Sequence, residues 1–160
     1  MTTSEEIIHS LGLKAHPEGG YFRQMEKSSN HFLMEGKCKS LYTSIYFLLE
    51  KGNPSRFHRL TSDEMWYFHL GQPLTIHLLY PDGLYKKVVL GPDLKKGQCL
   101  QFRVPKGIIF GSTVEQDYAL VSCMVAPGFE FSDFELLSQD SLLKDYPEQE
   151  EIIKRLTLSK

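Results

Sequence analysis

A chain of 160 residues can bury a core without disulfide or metal staples, and its 41% apolar and 24% charged side chains are those of an ordinary folded protein. Its 18 basic and 20 acidic residues nearly cancel, which leaves no extended basic field for a nucleic-acid polymer or an anionic membrane surface. Three cysteines in no metal-ligand spacing, no basic-plus-apolar leader and no apolar run of spanning length predict a cytoplasmic protein with free thiols.

Thr3 and Glu6 have capping-box spacing, and Ile7, Ile8 and Leu11 form one apolar face, so residues 3–11 are expected to be a short helix stopped by Gly12. The segment His16-Pro17-Glu18-Gly19-Gly20-Tyr21-Phe22-Arg23 reads as a tight loop before an edge strand, because paired glycines reach backbone shapes closed to other residues. From residue 41 onward the pattern changes. Residues 41–49, 64–70, 74–80, 85–90, 99–104 and 118–126 are short runs rich in β-branched and aromatic side chains, expected as strands. Turn chemistry separates them, as in Gly52-Asn53-Pro54, Gly71-Gln72-Pro73 and Pro81-Asp82-Gly83. Near the end, Pro147 suits an early helical position, and Ile152, Ile153 and Leu156 form the apolar stripe of a second terminal helix. No long helical pattern interrupts the strands, which excludes a parallel βαβ sheet. The expectation is one mainly β domain over residues 1–160, a closed barrel or jelly roll with short helices at the N- and C-termini.

Strand parity selects the chemistry. Arg56, His58 and Leu60 share one face, as do Glu64, Trp66 and Phe68, so a hairpin over residues 61–63 is expected to bring His58 and Glu64 together as an acid–base pair. A carboxylate beside an imidazole raises its pKa while burial lowers it, which keeps a proton carrier poised near neutrality. Arg56, together with Arg23 and Tyr21 on one face of the first strand, is the expected anchor for an anionic ligand group. Trp66, Phe68 and Phe110 are expected along the inward face, as core filling or as a stacking wall, with Gln101 as a further ligand contact. Tyr46 or Tyr21 is expected to return a proton from the opposite side. His69 and His77 read as half-exposed structural histidines.

Several stretches in fixed order carry a family resemblance. They are His16 to Arg23, Ser44 to Leu49 (SIYFLL), Phe57-His58-Arg59 with Asp63-Glu64-Met65-Trp66, Leu90-Gly91, Val104-Pro105 with Gly107, and Ala126-Pro127-Gly128-Phe129 with Asp133-Phe134-Glu135. Over about residues 10–137 they resemble the successive motifs of the cupin-5 family, the domain of unknown function 985 family. The resemblance implies a double-stranded β-helix, the cupin jelly-roll barrel, usually dimeric, with sugar-nucleotide epimerases and isomerases among its structural relatives. It implies a small polar or anionic ligand, a sugar phosphate or nucleotide-like molecule. The wider cupin metal pattern is incomplete: Leu60 stands where a second histidine would be, and Phe110 where the later motif places another. His58 and Glu64 alone match it, so a divalent metal has an incomplete ligand set unless His69, His77 or Gln101 compensates.

The function expected is an isomerase- or epimerase-like enzyme acting on a sugar phosphate or nucleotide sugar. The alternatives are a non-catalytic nucleotide- or sugar-binding regulatory protein and a metal-dependent oxygenase. A homodimer is expected as well, because residues 41–49 are apolar on both faces.

Overall fold

A computed structural model describes residues 1–159. The N-terminal helix α1 (Ser4–Leu11) forms with its predicted cap: Glu6 N–H donates to Thr3 Oγ1 at 3.2 Å, and the Glu6 carboxylate accepts from Thr3 N–H at 2.8 Å. Strands follow as β1 (Lys14–Ala15), β2 (Tyr21–Lys27), β3 (His31–Met34), β4 (Lys37–Ser40), β5 (Thr43–Glu50), β6 (Ser55–Leu60) and β7 (Asp63–Gly71). After them come β8 (Leu74–Leu79), β9 (Tyr85–Leu90), β10 (Gln101–Val104), β11 (Ile109–Val114), β12 (Tyr118–Ala126) and β13 (Phe134–Leu136). The chain ends in α2 (Gln139–Asp145) and α3 (Glu150–Arg155).

One sheet runs β1-β2-β5-β12-β7-β10 and the other β13-β6-β11-β8-β9, while β3 and β4 form a separate hairpin. The ladders are antiparallel. Alternation along the strands sends Phe47, Leu49, Trp66, Val121 and Cys123 from the first sheet against Leu74, Ile76, Leu78, Phe110 and Val114 from the second. The result is the mainly β, cupin-like fold expected from the sequence, with short helices at both ends.

The outer faces are covered by the chain's own helices. Ile7 of α1 packs with Leu48, Tyr118 and Leu120, and Leu142 of α2, Ile153 of α3 and Leu156 just after α3 pack with Phe57, Leu79 and Ile109. Each such side chain contributes about 1.5–3 kcal/mol by leaving water. Strand β5 is thus buried on both faces by its own chain, so its two-sided apolar character no longer argues for a second copy.

Three local expectations are corrected. The hairpin over residues 61–63 does not form: β6 pairs with β11 and β13, whereas β7 pairs with β12 and β10, so the turn after Leu60 carries the chain from one sheet to the other. Strand β11 was not expected, because Gly111-Ser112-Thr113 breaks its apolar run; Gly111 is required there, since a Cβ would stand 2.7 Å from the Ser55 carbonyl oxygen. Helix α2, capped by Ser138, was also not expected, and Pro147 opens a single 3-10 turn before α3. Among the described residues no helix is long and apolar enough to cross a membrane.

Candidate functional site

The interior of the barrel is open at one end. The cavity there is small, about 70 Å³, and is bounded by β2, β5, β6, β7, β12, the loop holding His16 and Glu18, and the segment 129–134.

Its base is set by the loop between β1 and β2. The His16 N–H donates to the Gly20 carbonyl at 2.9 Å, the Gly19 N–H donates back to the His16 carbonyl at 3.0 Å, and the Arg56 N–H of β6 holds the Glu18 carbonyl at 2.8 Å. Gly19 has φ +112°, and a Cβ on it would stand 2.0 Å from the Pro54 carbonyl oxygen. So tight a loop delivers the Glu18 carboxylate into the cavity, where the residue is 7% exposed.

His58 meets it there. Its Nδ1–H donates to the Arg56 carbonyl at 2.7 Å, and its Nε2 lies 2.8 Å from Glu18 Oε2. The carbonyl can only accept, so Nδ1 carries a proton, and the carboxylate 2.8 Å from Nε2 favours a second proton on the ring. Burial opposes that charge, but Glu18 and then Glu64 hold the imidazole above its ordinary value. Burial likewise opposes ionisation of Glu18, and His58 outweighs it, keeping this carboxyl below the usual range. The contact is one of charges rather than an aligned hydrogen bond: Glu18 Oε2 sits off the ring N–H direction and has no aligned donor.

Glu64 behaves in the opposite way. It enters from β7 on the facing sheet and is pushed up to about 8, chiefly by burial; His58 resists the shift and the Glu18 charge adds to it. The Trp66 indole N–H has no partner at hydrogen-bond distance but lies near enough to Glu64 to favour its charge slightly. The directions are opposed: Glu18 is held toward its ionised form, His58 toward its protonated form and Glu64 toward its uncharged form. His16, with Nδ1 accepting the Glu18 N–H at 3.1 Å, is held neutral by burial, with Glu18 opposing and His58 assisting. The Cys123 thiol on the wall is raised well above its ordinary value, first by burial and then by the two carboxyl groups.

The mouth is aromatic. Phe129, Phe131 and Phe134 line it, with ring planes 71–77° apart pairwise and centroids 5.0–6.4 Å apart. Buried Lys39 of β4 ion-pairs with Asp133 and lies 3.7 Å from Glu130, which ties this segment to the β3–β4 hairpin.

His58 and Glu64 both reach this cavity, from opposite sheets rather than neighbouring arms. Other expected residues lie elsewhere. Tyr21 and Tyr46 pack on the outer face against α1, and Arg23 Nη1 donates to the Leu11 carbonyl at 3.0 Å, because Phe22 and Gln24 are the inward residues of β2. Arg56 is half-buried and reaches the Glu18 carbonyl with Nη1 at 3.4 Å, clamping the loop instead of facing a ligand. Gln101 is exposed on β10, and Phe68 packs on the core without lining the cavity. Trp66 and Phe110 form packed core beneath His58, with the Phe110 ring 4.1 Å from the imidazole.

Sequence reasoning missed Glu18, His16, Gln24 and the aromatic mouth. The available signal was the His16-Pro17-Glu18 spacing immediately before two glycines.

Cupins commonly hold a metal, and the side chains here do not fit one. Both Nδ1 atoms of His16 and His58 are engaged with backbone groups, and His58 Nε2 faces Glu18. His69 is exposed and bonds Ser122 Oγ at 2.5 Å; His77 is buried on the outer face between Tyr85 and Thr113, where burial lowers it to about 4. Neither reaches the cavity, and among the described residues no group of His, Cys, Asp and Glu forms a metal-holding cluster.

Comparison with known proteins agrees with this fold. The chain is 47% identical to protein SO0799 from Shewanella oneidensis, with a TM-score of 0.94 and the full length of both chains covered. It is 30% identical to the uncharacterized protein YML079W of Saccharomyces cerevisiae, over 88% of this chain and 78% of that one. Oxalate decarboxylase from Bacillus subtilis shares the fold at 13% identity and a TM-score of 0.58, with 91% of this chain matching 37% of that one. A family model described as the cupin superfamily (DUF985) matches residues 5–137. The chain belongs to that family, Cupin_5.

Proposed function

We propose that the cavity binds a small polar molecule and moves a proton on it, as an isomerase- or epimerase-like enzyme does. The observation that carries this is geometric: two buried carboxyl groups reach one cavity from different walls, Glu18 2.8 Å from the His58 imidazole and Glu64 raised to about 8, chiefly by burial. Such a pair supplies a base and an acid to one substrate. Glu18 takes a proton from carbon beside a carbonyl; the C–H electron pair moves into the carbon–carbon bond, and Glu64 gives its proton to the carbonyl oxygen. His58 holds the Glu18 charge in place. No lysine or arginine lines the cavity, and Arg23 and Arg56 are engaged outside it, which favours a carbonyl compound without a phosphate in the base. The proposal includes a homodimer, with the sheet edges at β1 and β13 open to a second copy. Sedimentation as a monomer at micromolar concentration would remove that part.

Uncharged hydroxy-carbonyl compounds that raise the melting temperature are the ligands to test. In deuterated water, the protein is expected to exchange their α-protons, and Glu18→Gln to abolish the exchange. Ligands that stabilise the protein yet exchange no faster than in buffer would leave a non-catalytic binding protein.

A further inference from the structure

The cavity that holds Glu18 and Glu64 has room for only a small group, yet the hollow space does not end at its mouth. An open groove of about 480 Å³ lies outside it, and Phe22, Gln24 and Phe131 line both. Phe131 is 54% exposed, and an exposed side chain changes rotamer readily, so this shared wall can open without unfolding anything. The groove carries a charge of its own. Lys14 and Arg23 line it, and no acidic side chain does. Lys14 stands opposite Phe22 across the β1–β2 ladder, which places it on the cavity side of that edge. Lys39, Arg59, Arg103 and Arg155 are each paired with a carboxylate, whereas among the described residues Lys14 and Arg23 are not. Arg23 uses Nη1 on the Leu11 carbonyl, which fixes the guanidinium at the rim and leaves its remaining N–H donors uncommitted. Glu130, on the neighbouring segment, lines neither space and lies 3.7 Å from Lys39.

We infer that the substrate spans both spaces, with a small uncharged carbonyl head between Glu18 and Glu64, an anionic tail held in the groove by Lys14 and Arg23, and Phe131 at the crossing. This rests on the cavity being the reaction site, and it adds the charge of the substrate and its direction of entry. The reverse orientation is unfavourable. Inside the cavity an anion would face two carboxyl groups, with His58 already paired to Glu18, whereas in the groove it meets two cations that have no other anion. A guanidinium and an ammonium side by side suit the several oxygens of a phosphate monoester or a carboxylate.

Dihydroxyacetone phosphate and dihydroxyacetone share one head and differ only in the tail, and inorganic phosphate supplies a tail alone. In calorimetric titrations against the full-length protein, dihydroxyacetone phosphate is expected to bind about tenfold more tightly than either of the others. Lys14→Glu should remove most of that preference and leave dihydroxyacetone unchanged, Arg23→Gln should weaken the phosphate ester roughly threefold, and added salt should act in the same direction. Lys14 is exposed on a two-residue edge strand, so its variant keeps the fold, and the melting temperature reports whether loss of the Leu11 contact disturbs the Arg23 variant. Three results would each overturn the spanning substrate: a phosphate ester bound no more tightly than dihydroxyacetone, a preference that survives both substitutions together, or inorganic phosphate bound as tightly as the ester. The reading of the cavity stands or falls separately, on whether the protein exchanges the α-protons of dihydroxyacetone in deuterated water and loses that exchange in Glu18→Gln.

Discussion

Replacing Glu64 with glutamine keeps the shape of a protonated carboxyl group and removes its titration. Burial, resisted by His58 and reinforced by Glu18, takes this group from its ordinary 4.5 to about 8. Between those two values the folded protein keeps a proton that the unfolded chain releases. Stability is therefore untouched below the unfolded value and declines as pH climbs toward the folded one. At about 1.4 kcal/mol per pH unit, the decline amounts to roughly 3 kcal/mol by pH 7 and roughly 5 kcal/mol by pH 9. Glu64→Gln is expected to match the parent protein near about pH 4.5 and to exceed it by those amounts as pH rises. Urea unfolding followed by the fluorescence of Trp66, the only tryptophan, measures the difference across this range. Stability curves that run parallel from about pH 5 to about pH 9 would refute a buried, neutral Glu64.

Glu18→Gln removes half of a buried ion pair and should cost about 3 kcal/mol near pH 6, measured by the same unfolding assay. The lowered Glu18 makes its contribution fade as pH falls through its folded value, and the raised His58 makes it fade as pH rises through its own, so the deficit peaks between them. In this variant burial outweighs what remains, and the His58 titration seen by NMR should fall below 6.5. Gly19→Ala forces a Cβ onto the Pro54 carbonyl at positive φ and should cost more than about 2 kcal/mol, a drop of several degrees in Tm. Lys39→Met leaves Asp133 and Glu130 facing each other without their cation, so the 130–134 segment should loosen and acrylamide should quench Trp66 more strongly; unchanged quenching would mean that other contacts hold the mouth closed.

Much of the architecture was legible because local signals and tertiary packing agree. The capping box of α1 appears as read, and the strands at residues 85–90 and 118–126 keep their expected ends. Parity correctly grouped Arg56 with His58 and Glu64 with Trp66. It could not say which face turns inward, since that depends on what covers the other one. On β2 the outer face is claimed by α1, whose last turn captures Arg23, so Phe22 and Gln24 line the cavity. Nor could parity reveal that Thr61 and Ser62, between Leu60 and Asp63, cross between sheets, because a hairpin and a sheet-to-sheet connection use similar turn chemistry.

Arg56 explains most of the distance between the expected site and the observed one. A guanidinium on the same face as a histidine suggests an anion anchor, yet the backbone and side chain of Arg56 serve the site itself. Its N–H and Nη1 both reach the Glu18 carbonyl, and its own carbonyl accepts the His58 Nδ1–H. One residue of β6 thus fixes the carboxylate on the loop and the proton on the imidazole that faces it. With Nδ1 committed as a donor, His58 can present only Nε2 to Glu18, and the carboxylate keeps that nitrogen protonated. The positive charge then settles on His58 and the negative charge on Glu18, so Glu64 in the same buried space would be a second anion facing a single cation. Burial and the Glu18 charge leave it the proton. The acid and the base of the cavity are in this way assigned by backbone contacts two residues from the imidazole, before any ligand enters.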